Sequence, residues 1–423
     1  MSFDQHPVMR ASTLLRVILG IQSVIVRGFH FEPAGLVVDV APHGRRLPRC
    51  GECGKKSRRV KDRRKRRWRH LDIAGMKVHL QYAIRRVHCQ SCHGVKTEQV
   101  EWAGPGRNFT RAFEERAAYL AQQCSKSVVS NFLRISWRTV GDIVQRVVQE
   151  KLGSVGDRLD GLKHIGIDEL SYRKHHEYVT VVIDHERGAV VWSSKGKNAD
   201  TLREFFDELG PERCAKIESV TIDMSKAYIA AVTESVPHAR LIFDRFHVQR
   251  LLSDAMDETR RDEVRSARTK EAKKALKRTR WALLKSEWNL TDADHQTLAE
   301  LEKSNATIFR GHMLKEWFVG ILEGRQINVA RRRMEEWIAE AKASGLDAFC
   351  RVSGTVERHL DGILEYVRTR SSNGRTEGLN GKIRTITRRA FGFHSATALI
   401  SMIFLCCGGV HVTPAFSTPE SFH

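Results

Sequence analysis

From Asp160 onward the spacing of apolar residues changes from helical to strand-like, and this change constrains the fold more than any other feature of the chain. Residues 163–170 (KHIGIDEL), 177–184 (EYVTVVID) and 189–194 (AVVWSS) are short runs rich in β-branched residues, separated by turn-like residues that include Gly188. A helix is expected next over residues 199–209, capped by Asn198 and stopped by Gly210-Pro211. A strand over 219–223, a helix from Lys226, a strand over 240–243 and a further helix complete the series.

The order βββαβαβα predicts an α/β domain of RNase H-like type, a mixed sheet with helices on both faces. Its carboxylates fall where such a sheet can use them. Asp168 lies on the first strand, the central one, and Asp223 ends the fourth strand, its neighbour in space. A third carboxylate is expected from a C-terminal helix. The stretch SSNGRTEGLNGKI supplies Glu377 near a helix start, with Asn373, Asn380, Lys382 and Arg384 placed to hold phosphate or to order the site. A lone acid in a charged chain is ordinarily a surface residue; strand-end placement, order and helix context single these three out. Asp168, Asp223 and Glu377 together could hold two Mg²⁺ (or Mn²⁺) ions ~4 Å apart, one activating a water or 3′-hydroxyl and the other stabilising the leaving oxygen. Glu169 should point to the opposite face and is not expected to be a ligand.

Two CxxC knuckles, Cys50/Cys53 and Cys89/Cys92, can complete a closed tetrahedral Cys₄ site for one structural Zn²⁺. Gly54 and Gly94 follow them where a tight turn needs a permissive backbone. His70, His88 or His93 could replace one thiolate. The 35 residues between the knuckles exceed ordinary zinc-ribbon spacing; a basic run and a strand account for the excess, the strand read from the alternation of Met76, Val78, Leu80, Tyr82 and Ile84.

The formal net charge of +21 favours a polyanionic partner. No apolar run reaches membrane-spanning length and no export signal is recognisable, so nucleic acid is favoured over a membrane surface, and a cytoplasmic, nucleoid-associated location is expected. Residues 58–69 hold nine basic residues in twelve positions; such a run is usually a solvated loop, but inside a metal-stapled module it is read as a phosphate contact, with Arg63, Arg64, Arg66 and Arg67 the candidates. Helices over 110–123, with Phe113, Ala117 and Leu120 on one face, and over 128–133 precede a break at Ile135-Ser136. Val140, Ile143, Val144, Val147 and Val148 then form the buried stripe of a third helix, capped by Ser136. This is a helix-turn-helix pattern, with Trp137, Arg138 and Thr139 in the first turn of the reading helix; a plain helical linker would look similar.

Between His247 and Ser371 the chain reads as helical. Residues 260–280 carry ten basic and three acidic residues. Trp281, Trp288, Trp317 and Trp337 fall on these helices, where buried core is the default reading and stacking on a displaced base the alternative for one of them. Residues 396–410 read as a buried C-terminal helix.

The blocks IGIDEL, VTIDMSKAY, LIFDRFHVQR and SSNGRTEGLNGKIRTITRRAFGF resemble the ISL-three family of bacterial insertion-sequence transposases over nearly the whole chain. The resemblance implies a DDE triad of Asp168, Asp223 and Glu377, cleavage and joining of DNA at terminal inverted repeats, insertion into target DNA, and a homo-oligomer, at least a dimer, on DNA. Asp244 and His247 match a D-x-x-H motif shared by several transposase families and could support the metal ligands from behind; a histidine packed at a helix start is the alternative. The implied organisation is a zinc module over 1–105, a helix-turn-helix over 106–155, the first part of the RNase H-like core over 156–255, an all-α insertion over 256–368, and the core's C-terminal part over 369–423. A nuclease or resolvase without strand transfer, and a non-catalytic DNA-binding regulator, are the competing readings.

Overall fold

A computed structural model describes residues 10–21, 24–42, 46–173, 177–370, 374–390 and 392–412, without the side chains of Arg173 and residues 374–377. The chain divides into two compact units, Met1–Lys151 with Val410–His423, and Leu152–Gly409.

The first unit is built on a five-stranded sheet. β1 (Val24–Glu32) pairs antiparallel with β2 (Gly35–Pro42), and β2 pairs parallel with the long hairpin of β3 (Val60–Ile73) and β4 (Met76–Cys89) through β4. β5 (Gly94–Thr97) adds to the far end of β4. The basic run is therefore a strand, β3, and not a loop. The reason is local: Ala74 and Gly75 both take positive φ, 48° and 80°, the pair of left-handed residues that a two-residue hairpin turn requires. The second knuckle also departs from expectation. Gly54 takes φ 70°, but in the second turn His93, at φ 45°, occupies the left-handed position and Gly94 begins β5.

One face of this sheet buries Trp68, Val78, Leu80, Tyr82 and Ile84, with Trp102 edge-on to both Trp68 and Tyr82 at 5.7 and 5.6 Å between ring centroids. Three helices follow, Arg111–Gln123, Lys126–Leu133 and Trp137–Lys151. Thr110, Ser125 and Ser136 cap them, each accepting from the backbone N–H three residues on, at 3.3, 3.4 and 3.1 Å. Val140, Ile143, Val144, Val147 and Val148 are all buried, as their spacing predicts. Leu120 is only half-buried; Phe113, Ala117, Ala118 and Ala121 form the packed stripe of the first helix, and Glu114 is buried beside them.

The second unit has the predicted mixed sheet. β6 (His164–Arg173) is central, flanked by antiparallel β7 (Glu177–Asp184) and then β8 (Ala189–Lys195) on one side. On its other side lie parallel β9 (Ser219–Ile222) and β10 (Arg240–Phe243). The helices Ala199–Leu209 and Lys226–Ser235 are the crossovers. The helix Ala396–Cys407 packs on β7 and β8, with Leu399, Met402, Ile403, Phe404 and Leu405 buried.

Eight α-helices, from Arg245–Ser266 to Leu360–Thr369, intervene before the helix Gly374–Arg389. Their apolar core is continuous with that of the sheet. Trp337 sits at its centre, edge-on to Phe318 at 4.7 Å, with its indole N–H donating to Leu314 O at 2.8 Å. Burying a side chain of this size contributes about 3 kcal/mol relative to leaving it in water. The other insertion tryptophans differ. Trp317 is half-buried, whereas Trp281 and Trp288 are 63% and 66% exposed. No helix of the described residues is long and apolar enough to cross a membrane.

Candidate functional site

The strand register brings three aspartates together. β9 and β10 run parallel with Ile222 beside Phe243, so Asp223 and Asp244, each the next residue, emerge side by side at the same end of the sheet. Asp244 N–H donates to Ile222 O at 3.1 Å, which fixes that level. Asp168 comes from the middle of β6, on the far side of β9 from β10. Its carboxylate accepts from Glu169 N–H at 2.7 Å and from the Asn380 amide of the helix Gly374–Arg389.

Local turns hold the other two. Asp223 accepts from Ser225 N–H at 3.0 Å. Asp244 caps the helix Arg245–Ser266, accepting from Phe246 N–H at 3.2 Å, while His247 Nε2 lies 3.9 Å from its second oxygen. Burial raises the Asp168 pKa; the Glu169 N–H and His247 oppose this, and the charges of Asp223 and Asp244 add to it. Such a cluster of desolvated carboxylate oxygens is a hard donor set that lacks positive charge, the environment a divalent cation completes. Asn380 Oδ1 is likewise buried with no hydrogen-bond partner among the described residues.

Asp244 and His247 thus lie near enough to the aspartates to act electrostatically on Asp168. The signal was available in the sequence: SVTID and RLIFD are both short apolar strands ending in aspartate. Glu169 alternates with Asp168 along β6, yet the charges of Asp223 and Asp168 still reach its carboxyl. Its cross-strand neighbour Thr180 shares a hydrogen bond of 2.8 Å with Tyr228, on the crossover helix Lys226–Ser235. Burial raises the Glu169 pKa, opposed by Lys197.

Glu377 falls in the helix Gly374–Arg389, three residues before Asn380 and so on the same helical face. Its side chain, and all of Asn373, lie outside the described residues. Lys382 and Arg384 are exposed on the same helix, and Gly378, Leu379 and Lys382 line an open cleft of about 430 Å³ with Glu186, Arg187 and Gly188.

In the first unit, the Sγ atoms of Cys50, Cys53, Cys89 and Cys92 all lie within 4.8 Å of one another, with Cys50–Cys92 at 3.9 Å and Cys53–Cys89 at 3.5 Å. A tetrahedral zinc with Zn–S bonds of ~2.3 Å has an S–S edge of about 3.8 Å, so these residues fit the ion. The Cys92 backbone N–H pulls the Cys89 thiol down to about 7, while the surrounding sulfurs push Cys92 up to about 12. Several thiolates at this spacing need a cation between them. The histidine alternative fails among the described residues: His70 is buried elsewhere, bonded to Thr110 Oγ1 and Leu19 O, and neither His88 nor His93 joins the cluster.

The basic candidates divide. Arg63 and Arg64 are exposed. Arg66 donates to Arg107 O at 2.7 Å and lies over Trp68, and Arg67 is clamped by Glu32 at 2.7 and 2.8 Å. In the third helix Trp137 is 42% exposed with Lys126 Nζ over its ring, Arg138 is exposed, and the Thr139 hydroxyl is shared with Ser136 at 2.7 Å. Buried Glu114 is gripped by Arg107 and Arg146 at 2.7 and 2.6 Å. Nothing in the local sequence marks Glu114 as buried.

Comparison with known proteins agrees with this division of the chain. Residues 165–403 match a transposase family domain of ISL3 type, residues 46–92 match the zinc-finger of transposase IS204/IS1001/IS1096/IS1165, and residues 98–148 match the helix-turn-helix domain of transposase family ISL3. The chain is 35% identical, over 95% of its length and 96% of the relative's, to the transposase for insertion sequence element IS1557 of Mycobacterium tuberculosis, in both strain CDC 1551 / Oshkosh and strain ATCC 25618 / H37Rv. It is 28% identical, over 81% of its length and 85% of the relative's, to the transposase for insertion sequence element IS1001 of Bordetella parapertussis.

Proposed function

Because this chain belongs to the ISL3 family of transposases, we propose that it binds the terminal inverted repeats of its own insertion sequence and there cuts and rejoins DNA strands. Asp168, Asp223 and Glu377 are the proposed ligands of two Mg²⁺ or Mn²⁺ ions. The observation that carries the reading is the meeting of Asp168 and Asp223 beside Asp244, on strands separate in sequence, with Asn380 reaching the same carboxylate from the C-terminal helix. Bound divalent ions would supply Lewis-acid activation of the attacking and leaving oxygens.

The chain's own groups do the rest. The Glu169 N–H and the Asn380 amide fix the orientation of Asp168, and His247 lies 3.9 Å from Asp244 at the edge of the cluster. Lys382 and Arg384, exposed on the helix that carries Glu377 and Asn380, are suited to holding the phosphate flanking the reacting bond. In the first unit, Trp137, Arg138 and Thr139 are the proposed readers of base edges, and the zinc holds its knuckles in register as a structural ion. Two element ends must meet for joining, so at least a dimer on DNA is proposed, with zinc-module, helix-turn-helix, split catalytic core and insertion bounded near residues 105, 155, 255 and 368.

The test is strand transfer on duplexes carrying the element's terminal repeats with Mg²⁺. The wild type should cleave and join; Asp168→Ala should do neither, yet bind the repeats with unchanged affinity. Cleavage by Asp168→Ala would remove Asp168 from the site. Cleavage without joining by the wild type would leave a nuclease.

A further inference from the structure

The first unit carries a basic groove on its sheet that none of the helix-turn-helix reading residues lines. It has a volume of about 580 Å³ and crosses β1, β2, β4 and β3. We propose that this groove holds the sugar-phosphate backbone of duplex DNA through Arg27, Arg63 and Lys65, gripping it without reading its sequence. The proposal rests on the reading of the chain as a DNA-binding transposase and adds to it a second DNA-binding surface.

Three features of the strands carry it. Arg63 and Lys65 are two apart on β3, so they share a face about 6.8 Å apart. Arg63 sits directly opposite Arg85 of β4. Glu98 neutralises Arg85, which relieves the like-charge repulsion across the ladder and leaves Arg63 with no partner of its own. Arg27 lies at the register shift of β1, between Val26 and Gly28. A bulge adds a residue that the ladder does not need and re-aims its side chain, here to the edge of the same groove.

Among the cations that line the groove, ion pairing separates these three from Arg46 and Arg85. Arg46 is paired with Glu101, Arg85 with Glu98, Arg86 with Asp62 and Arg67 with Glu32. Arg27, Arg63 and Lys65 make no ion pair among the described residues. The groove's one acid, Asp39, accepts from the Gln81 amide at 2.7 Å and keeps its charge, so the cations outnumber it. The lining therefore presents three cations without an ion-pair partner against one carboxylate in a polar trough, the chemistry of phosphodiester binding and not of an apolar ligand. Within the basic run, Arg66 and Arg67 serve the fold while Arg63 and Lys65 face the groove.

The experiment is fluorescence anisotropy with the full-length, zinc-loaded chain and no added magnesium, on two duplexes, one with the element's terminal repeat and one with that sequence scrambled. The logarithm of affinity is followed against the logarithm of NaCl concentration. The triple variant R27Q/R63Q/K65Q should make the slope shallower by about 2.7, at about 0.9 for each phosphate that is no longer neutralised, and equally on both duplexes. The double variant R63Q/K65Q should give about 1.8, and R27K/R63K/K65R should restore the wild-type slope. Bound zinc, measured on each variant, should stay at one per chain; if the triple variant loses it, the double variant and the charge-restoring variant decide. An unchanged slope, or a change confined to the repeat duplex, overturns the groove. A wild type that binds neither duplex overturns instead the transposase reading beneath it.

Discussion

The side-chain amide of Asn380 donates to Asp168 Oδ2, joining the C-terminal helix to the central strand across 212 positions of sequence. Asp168 is a carboxylate whose ionised form burial already disfavours, so this N–H holds both its charge and its orientation. A hydrogen bond to a charged group is worth about 1.5–3 kcal/mol. Asn380→Ala should therefore slow single-turnover cleavage of a terminal-repeat duplex by about 10–100-fold, with DNA affinity changed less than twofold. A fall in affinity with an unchanged rate would assign Asn380 to the DNA interface instead.

The zinc site gives a prediction about folding. Metal binding at a site that exists only in the folded chain is folding free energy, and Cys53 is the most exposed of the four ligands. Cys53→Ser should lower zinc content well below one per chain by atomic absorption and make the first unit sensitive to trypsin. Cys214→Ser is the matching control, because that cysteine is buried in the second unit outside the cluster. It should keep its full zinc.

Glu114 predicts the largest loss of stability in the helical module. It is 1% exposed and gripped by two arginines. Removing one partner of a buried ion pair costs about 3–5 kcal/mol, and the lower end applies here because Arg146 keeps access to water. Glu114→Ala should shift the denaturant midpoint accordingly. Arg111→Ala, at an exposed pair of 3.4 Å to Glu150, should cost less than about 1 kcal/mol.

His70 sets a pH dependence. Burial lowers its pKa from 6.5 to about 4, partly offset by the hydrogen bond to Leu19 O. A base whose folded pKa is depressed contributes stability that is complete above pH 6.5 and is lost as the pH falls toward 4, on the order of 3 kcal/mol in all. His70→Gln, which cannot titrate, should show a flatter fall over that window in chemical denaturation. The difference between variant and wild type isolates His70 from the thiolates, which titrate in both. Parallel curves would show that His70 is not the group responsible.

The sequence determined the identities of the working groups and the order in which they are laid down. Four thiolates in two knuckles, three strands followed by helix–strand alternation, and the valine stripe of the third helix are local signals, set by backbone preference and side-chain period. Tertiary structure decided which groups meet. Asp244 became a member of the acidic cluster because β9 and β10 align Ile222 with Phe243, a register that neither strand encodes alone. Trp337 was sent to the core and Trp281 to the surface although both lie on insertion helices, because burial depends on what packs opposite. The basic run became a strand in which Arg67 is paired with Glu32, Arg66 donates to the Arg107 backbone carbonyl, and Arg63 and Lys65 have no ion pair among the described residues. Charge and period are properties of neighbouring residues along the chain, whereas compensation, desolvation and coordination depend on distances between residues far apart in sequence, which folding sets.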